Sequence, residues 1–130
     1  MGYELRVERE SPLAYAELAE PSVAEAGFGV RGSQESGEIV ARHEDGVHVV
    51  AAWRQAGAGA TGALTGEPLS DWQVAQLVRL SDVLGARLVG EDGEVYRVRD
   101  GVVEQVSGSS VFEFGKMEEI LAIGPAQWSE

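Results

Sequence analysis

Glu91, Asp92 and Glu94 crowd a single predicted turn, and no other group of side chains in the sequence has a comparable concentration of one chemistry. They bracket Gly93. Asp-Gly between apolar-rich runs signals a two-residue hairpin turn, because both central residues must adopt positive φ. That turn would set Glu91 directly opposite Glu94, a like-charge pair that costs stability. A cation would relieve it. The ligand spacing of an EF-hand calcium loop is absent. A Lys- or Arg-rich protein partner would serve. The alternative is a plain solvated turn, since exposed charges interact weakly in water. Glu91, Asp92 and Glu94 are therefore the candidate partner-binding residues. No catalytic, cofactor-binding or metal residue is assigned.

Two other constellations reach the threshold of discussion. A two-residue turn at Asp45-Gly46 would place His43 opposite His48, with Cα atoms roughly 4.5 Å apart. Two imidazoles are too few for a tight zinc site, and no third ligand is fixed by the sequence. The pair reads as a partly exposed aromatic contact at a hairpin end. Gly57-Ala58-Gly59-Ala60-Thr61-Gly62 matches the dinucleotide fingerprint as text. The mechanism, however, needs the last glycine to lead directly into a helix, and here Gly66 and Pro68 intervene before one can start. Nucleophile-elbow, zincin and P-loop texts are absent, as is cysteine. Carboxylates abound, so a small enzyme or ligand-binding domain of unknown substrate stays open as the second reading.

Composition narrows the classes further. A chain of 130 residues with 44% hydrophobic and 25% charged residues has the make-up of one globular domain. The absence of cysteine excludes a disulfide framework and fits a cytoplasmic setting. The N-terminus lacks a secretory or myristoylation pattern, and no window approaches the ~18 apolar residues that a membrane span needs. A net charge of −12, with ten scattered Lys and Arg, argues against nucleic-acid binding, which requires a basic face. It favours solubility and attraction to a basic protein partner.

These residues need a framework to hold them. Tyr3, Leu5 and Val7 alternate with polar residues as a half-buried strand. Ser11-Pro12 suggests a helix start, with Pro21 either ending that helix or opening another that runs to Ala26 and stops at Gly27. Phe28 and Val30 suggest a short strand, and 33–37 a loop. A hairpin centred on Asp45-Gly46 would pair Ala41 with Val50 and Ile39 with Ala52. Residues 55–68 read as a mobile loop or poorly ordered strand. Ser70, with Gln73 three residues on, is a capping box that opens a helix. Val74, Leu77, Val78, Ser81 and Leu84 form its apolar face, with Gln76, Arg79 and Asp82 outward and Gly85 as the stop. Segments 86–90, 94–99 and 102–106 form a meander through Asp92-Gly93 and Asp100-Gly101, in which Arg97 faces Glu104.

The expected fold is thus α+β: an antiparallel sheet of roughly five to seven strands with helices near 12–26 and 70–84 packed on one face. Residues 1–106 form the domain. Residues 107–130 form a C-terminal tail, with 107–110 as linker and then a strand and helix or a docking segment. Phe112, Phe114 and Trp128 would bury against a second copy if the chain self-associates. It is otherwise a monomer or weak homo-oligomer.

The run from Leu77 through Leu84-Gly85-Ala86-Arg87 to Gly90-Glu91-Asp92-Gly93-Glu94-Val95-Tyr96 resembles the C-terminal half of a family of small uncharacterised bacterial proteins. Tyr3-Glu4-Leu5-Arg6-Val7 with Ser11-Pro12-Leu13 is similar to their start. The resemblance implies no established activity and transfers no site residue. Proteins of this look include some that accompany toxins as immunity proteins, which suggests an acidic, immunity-like protein-interaction module.

Overall fold

The computed structural model describes residues 3–44, 46–57 and 59–128. Alternating apolar residues near the N-terminus form strand β1 (Leu5–Glu8), with Leu5 and Val7 buried. A two-residue strand β2 (Leu13–Ala14) and a 3-10 turn (Tyr15–Ala19) follow, and then helix α1 (Pro21–Glu25). Of the two readings of 12–26, the one in which Pro21 opens a separate helix holds, but the segment before it forms only β2 and a 3-10 turn rather than a helix started at Ser11-Pro12. Glu17 reaches back to the Ala14 N–H and is held by Arg9, which fixes a tight turn, and Pro21 then opens α1 as its first residue. Gly27 ends α1 at φ +96°.

Four consecutive antiparallel strands come next: β3 (Phe28–Gly32), β4 (Ser36–His43), β5 (Gly46–Gln55) and β6 (Thr61–Gly66). The glycine-rich 55–68 region is thus largely strand. Glycine is needed there for close approach. A β-carbon at Gly62 would overlap the Arg54 carbonyl, and one at Gly66 would lie 2.8 Å from a Leu77 methyl. The second glycine lets helix α2 (Asp71–Val83) settle on the sheet.

After α2 the chain forms β7 (Arg87–Gly90), β8 (Val95–Arg99), β9 (Val102–Ser107) and β10 (Ser110–Lys116), then helix α3 (Met117–Ile123). Among the described residues ten strands join one antiparallel sheet in the order β10-β9-β8-β7-β1-β6-β5-β4-β3, with β2 paired to β6. The fold is α+β, but the strand count exceeds the expected range. The added strands are β2, in a segment expected to be helical, β6, in the segment expected as a mobile loop or poorly ordered strand, and β10, in the tail expected as a strand and helix or a docking segment. Residues 107–110 form the β9–β10 hairpin connection, and β10 pairs with β9 along its length. Trp128 docks on its own chain: its indole N–H donates to Asp71 at 2.7 Å and its backbone N–H to the Leu69 carbonyl at 2.8 Å.

Helix α2 is the centre of the core. Trp72, Val74, Ala75, Leu77, Val78 and Leu80 are buried, against sheet residues such as Leu5, Trp53, Leu64 and Leu88. Its ends follow the sequence. The Ser70 hydroxyl accepts from the Gln73 N–H at 3.2 Å, and the Gln73 carboxamide accepts from the Leu69 N–H at 2.6 Å. Gly85 stands at φ +67°, with Gly85 N–H on Asp82 and Ala86 N–H on Ser81, a Schellman closure. Gln76 departs from its expected outward position. It is buried, and it accepts from Arg79, which also donates to the Ala26 carbonyl at 2.6 Å and stacks over Phe28. Packing of α1 beside α2 covers what would otherwise be a solvent face.

Candidate interaction surface

The three Asp-Gly steps behave differently. At Asp100-Gly101 the two residues are the turn, at φ 52° and 79°, and Arg97 sits opposite Glu104 with an ion pair at 2.8 Å, as expected. At the first step His43 pairs with Gly46, one residue earlier than expected, and Glu44 takes φ 52°; Asp45 lies outside the described residues. Ala41 then faces His48 and Ile39 faces Ala51, with Val50 as an extra bulged residue. The bulge lets Val50 and Ala51 both bury. His43 and His48 are therefore not directly opposed. Both pack edge-on against Trp72, with ring centroids 6.1 and 5.4 Å away. Among the described residues no group of three or more His, Cys, Asp or Glu is placed to hold a metal.

At Asp92-Gly93 the loop has three residues. The Gly90 carbonyl accepts from Gly93, which takes φ +82°, and Gly90 pairs with Glu94 through a 2.8 Å hydrogen bond. This closure puts Glu94 opposite a glycine rather than opposite Glu91. The like-charge pair is not formed, and Glu94 turns onto the helix-bearing side, where it is 6% exposed. Its Oε2 accepts from the Tyr3 hydroxyl at 2.6 Å and the Tyr96 hydroxyl at 2.7 Å, and its Oε1 from the Asp92 N–H at 3.1 Å. A β-carbon at Gly90 would overlap this carboxylate, so glycine is required there for space.

Burial by itself would raise the Glu94 carboxyl, but the donors from Tyr3, Tyr96, its own backbone and Asp92 outweigh it and hold the group below the usual glutamate range. Desolvation, then the bond to Glu94, pushes Tyr3 up to about 12, and raises Tyr96 for the same reasons. The other two acidic residues stay at the surface. Glu91 accepts from the Glu4 N–H at 2.6 Å, and Asp92 donates its N–H to the Tyr3 hydroxyl at 3.0 Å. The predicted acidic trio is thus one internal clamp, which ties β1 to the β7–β8 hairpin, and two exposed carboxylates at its tip.

A second feature lies beyond the helical cover, on the C-terminal meander. Phe112 is 58% exposed and Val111 is 51% exposed on the sheet-edge strand β10, and Val98 is exposed on β8. Phe112 stacks edge-to-face on Phe114 at 5.0 Å, and Phe114 leans on Tyr96 at 6.2 Å. On the opposite face Val95, Val106 and Val111 align across three strands. The sequence marks Phe112 and Phe114 as candidates for burial against another chain. Val98 and Val111 carry no such signal, because alternation alone does not reveal where helical cover ends.

The concavities are shallow. One of them, about 550 Å³ and open to solvent, is lined by Glu8, Arg9, Glu10 and Arg87 among others. Arg9 there is committed to Glu17 and to the Leu84 and Ser11 carbonyls. Among the described residues every buried side-chain nitrogen and oxygen has a hydrogen-bond partner, and no helix is long and apolar enough to cross a membrane. Compared with protein-family models, with curated proteins and with solved structures, the chain matches none.

Proposed function

We propose that this chain is a protein-interaction module, immunity-like in character, that docks a basic partner on its C-terminal meander. The observation that carries the reading is the pair Phe112 and Val111, exposed on opposite faces of one edge strand in a chain of net charge −12. Exposed apolar side chains on an unpaired sheet edge offer an added segment a contact on each face, and an acidic surround selects a partner of opposite charge. Glu91 and Asp92, at the same end of the meander as the 107–110 turn, supply part of that rim. An enzyme reading has less support, since the depressions are open and the perturbed carboxylate Glu94 is internal and satisfied.

The test compares capture from a cell extract by the wild-type protein, by Phe112→Ser with Val111→Ser, and by Glu91→Lys with Asp92→Lys. A basic protein should be retained by the wild type, lost with the serine pair, and weakened by added salt and by the lysine pair. Equal recovery by all three proteins, or recovery of none, overturns the reading.

A further inference from the structure

We infer that the free edge of β10 accepts an extended segment of the partner as an eleventh strand, with a Lys or Arg opposite Glu113 and apolar residues beside Phe112; this rests on the interaction reading above and specifies its mode. The argument begins from a row of charges across the sheet. Arg97 on β8 faces Glu104 on β9, and Glu104 faces Glu113 on β10. The first pair closes as an ion pair at 2.8 Å. The Glu113 side chain is exposed and makes no hydrogen bond or ion pair among the described residues. The next position in this row belongs to whatever pairs with β10. Glu104 is already answered by Arg97, so Glu113 is the one carboxylate of this row without a cation, and a Lys or Arg there would supply it and offset its like-charge contact with Glu104.

The backbone offers the rest of the recognition. An edge strand presents a line of unpaired N–H and C=O groups, which an added strand saturates while its alternate side chains read the two faces. On one face of β10 the newcomer would meet Phe112. On the other it would meet Val111 and Glu113. The preferred segment therefore alternates apolar and basic residues. The bulge at Phe114 and the terminal Lys116 guard the far half of the strand, which leaves 110–113 as the open stretch.

The opposite edge of the sheet gives the contrast. Strand β3 is five residues long, contains Gly29 and Gly32, and carries Arg31, whose charge is already answered by Glu38 at 2.8 Å. Its charge row is complete and that of β10 is not. A second copy of this chain is the less suitable occupant, because pairing two edges would bring together two chains of −12.

The experiment uses the full chain, nitrogen-15 labelled, and a synthetic peptide of alternating Val and Lys as probe, with an alternating Val-Glu peptide as comparison. The Val-Lys peptide should shift amides of 110–116 and slow their hydrogen exchange, while the Val-Glu peptide does neither. Glu113→Lys, an exposed change that leaves the fold intact by circular dichroism, should weaken Val-Lys binding at least tenfold and gain binding of Val-Glu. Shifts confined to the Glu91 and Asp92 tip would overturn strand addition while leaving the interaction reading standing. No shift at millimolar peptide would overturn it too, and the capture experiment then decides the broader reading separately. Concentration-dependent dimerisation abolished by Phe112→Ser would assign the edge to a second copy and overturn the basic-segment proposal.

Discussion

At the scale of single residues, the Tyr3–Glu94–Tyr96 clamp is where sequence and structure meet most informatively. Glu94 belongs to the acidic trio, yet it works inside the molecule, and Gly90 makes the room. Gly90→Ala should therefore lower stability by about 2 kcal/mol or more, the range for displacing a buried, hydrogen-bonded group. A shift in the urea midpoint reports it. Glu94→Gln tests the charge. In the folded state the Glu94 carboxyl titrates below its unfolded value, so it contributes stability that is present above the unfolded value and is lost as pH falls through the folded one. Tyr3, raised to about 12, works in the other direction: its contribution is full below the ordinary tyrosine range and disappears as pH rises toward 12. The wild type should show a stability plateau between these limits. In Glu94→Gln the acid-side loss should shrink, and tyrosinate formation, followed by ultraviolet absorbance, should begin at lower pH. An unchanged profile would mean that the clamp contributes nothing. Nothing in the sequence points to this arrangement, because Tyr3 and Glu94 are brought together only by the pairing of β1 with β7.

At the scale of elements, local sequence signals determine the structure where a residue's own conformation decides the outcome. Helix α2 runs between the Ser70 cap and the Gly85 stop as its text requires. Ser70→Ala should cost about 1 kcal/mol by thermal or urea unfolding. The Asp100-Gly101 turn is similarly legible. Gly101 has open space around it and φ +79°, so Gly101→Ala should cost about 1 kcal/mol through backbone strain alone. Gly90 and Gly101 thus fail for opposite reasons, crowding and conformation. The Asp92-Gly93 step slipped because such a pair reports positive φ without saying how many residues the loop spans, and at the first step Gly46 already belongs to β5. Gly93 adopts the expected positive φ, yet as the last of three loop residues. The extra residue Val50 in β5 likewise has no local marker, since it exists to bury two neighbouring side chains under α2.

At the scale of the whole molecule, the order of the sheet was not legible at all. β1 sits between β6 and β7, which joins two meanders that are otherwise bridged mainly by α2. Alternation identifies β1 as a strand but cannot name its neighbours, because those pairings reach across most of the chain. The arrangement has a dynamic consequence. β1 is short, yet it is hydrogen-bonded on both sides and has Leu5 and Val7 in the core. Losing β1 separates the two halves of the sheet, so its amides have no local route to solvent. Native-state hydrogen exchange should therefore find Leu5, Arg6 and Val7 opening only with global unfolding, while amides of β3 and β10 exchange faster by edge fraying. Val7→Ala should lower the protection of both meanders together, by about 2–3 kcal/mol at most sites that report the global transition. If only one meander responds, the two halves unfold as separate cooperative units, and the central strand is a linker between them rather than the seam on which both depend.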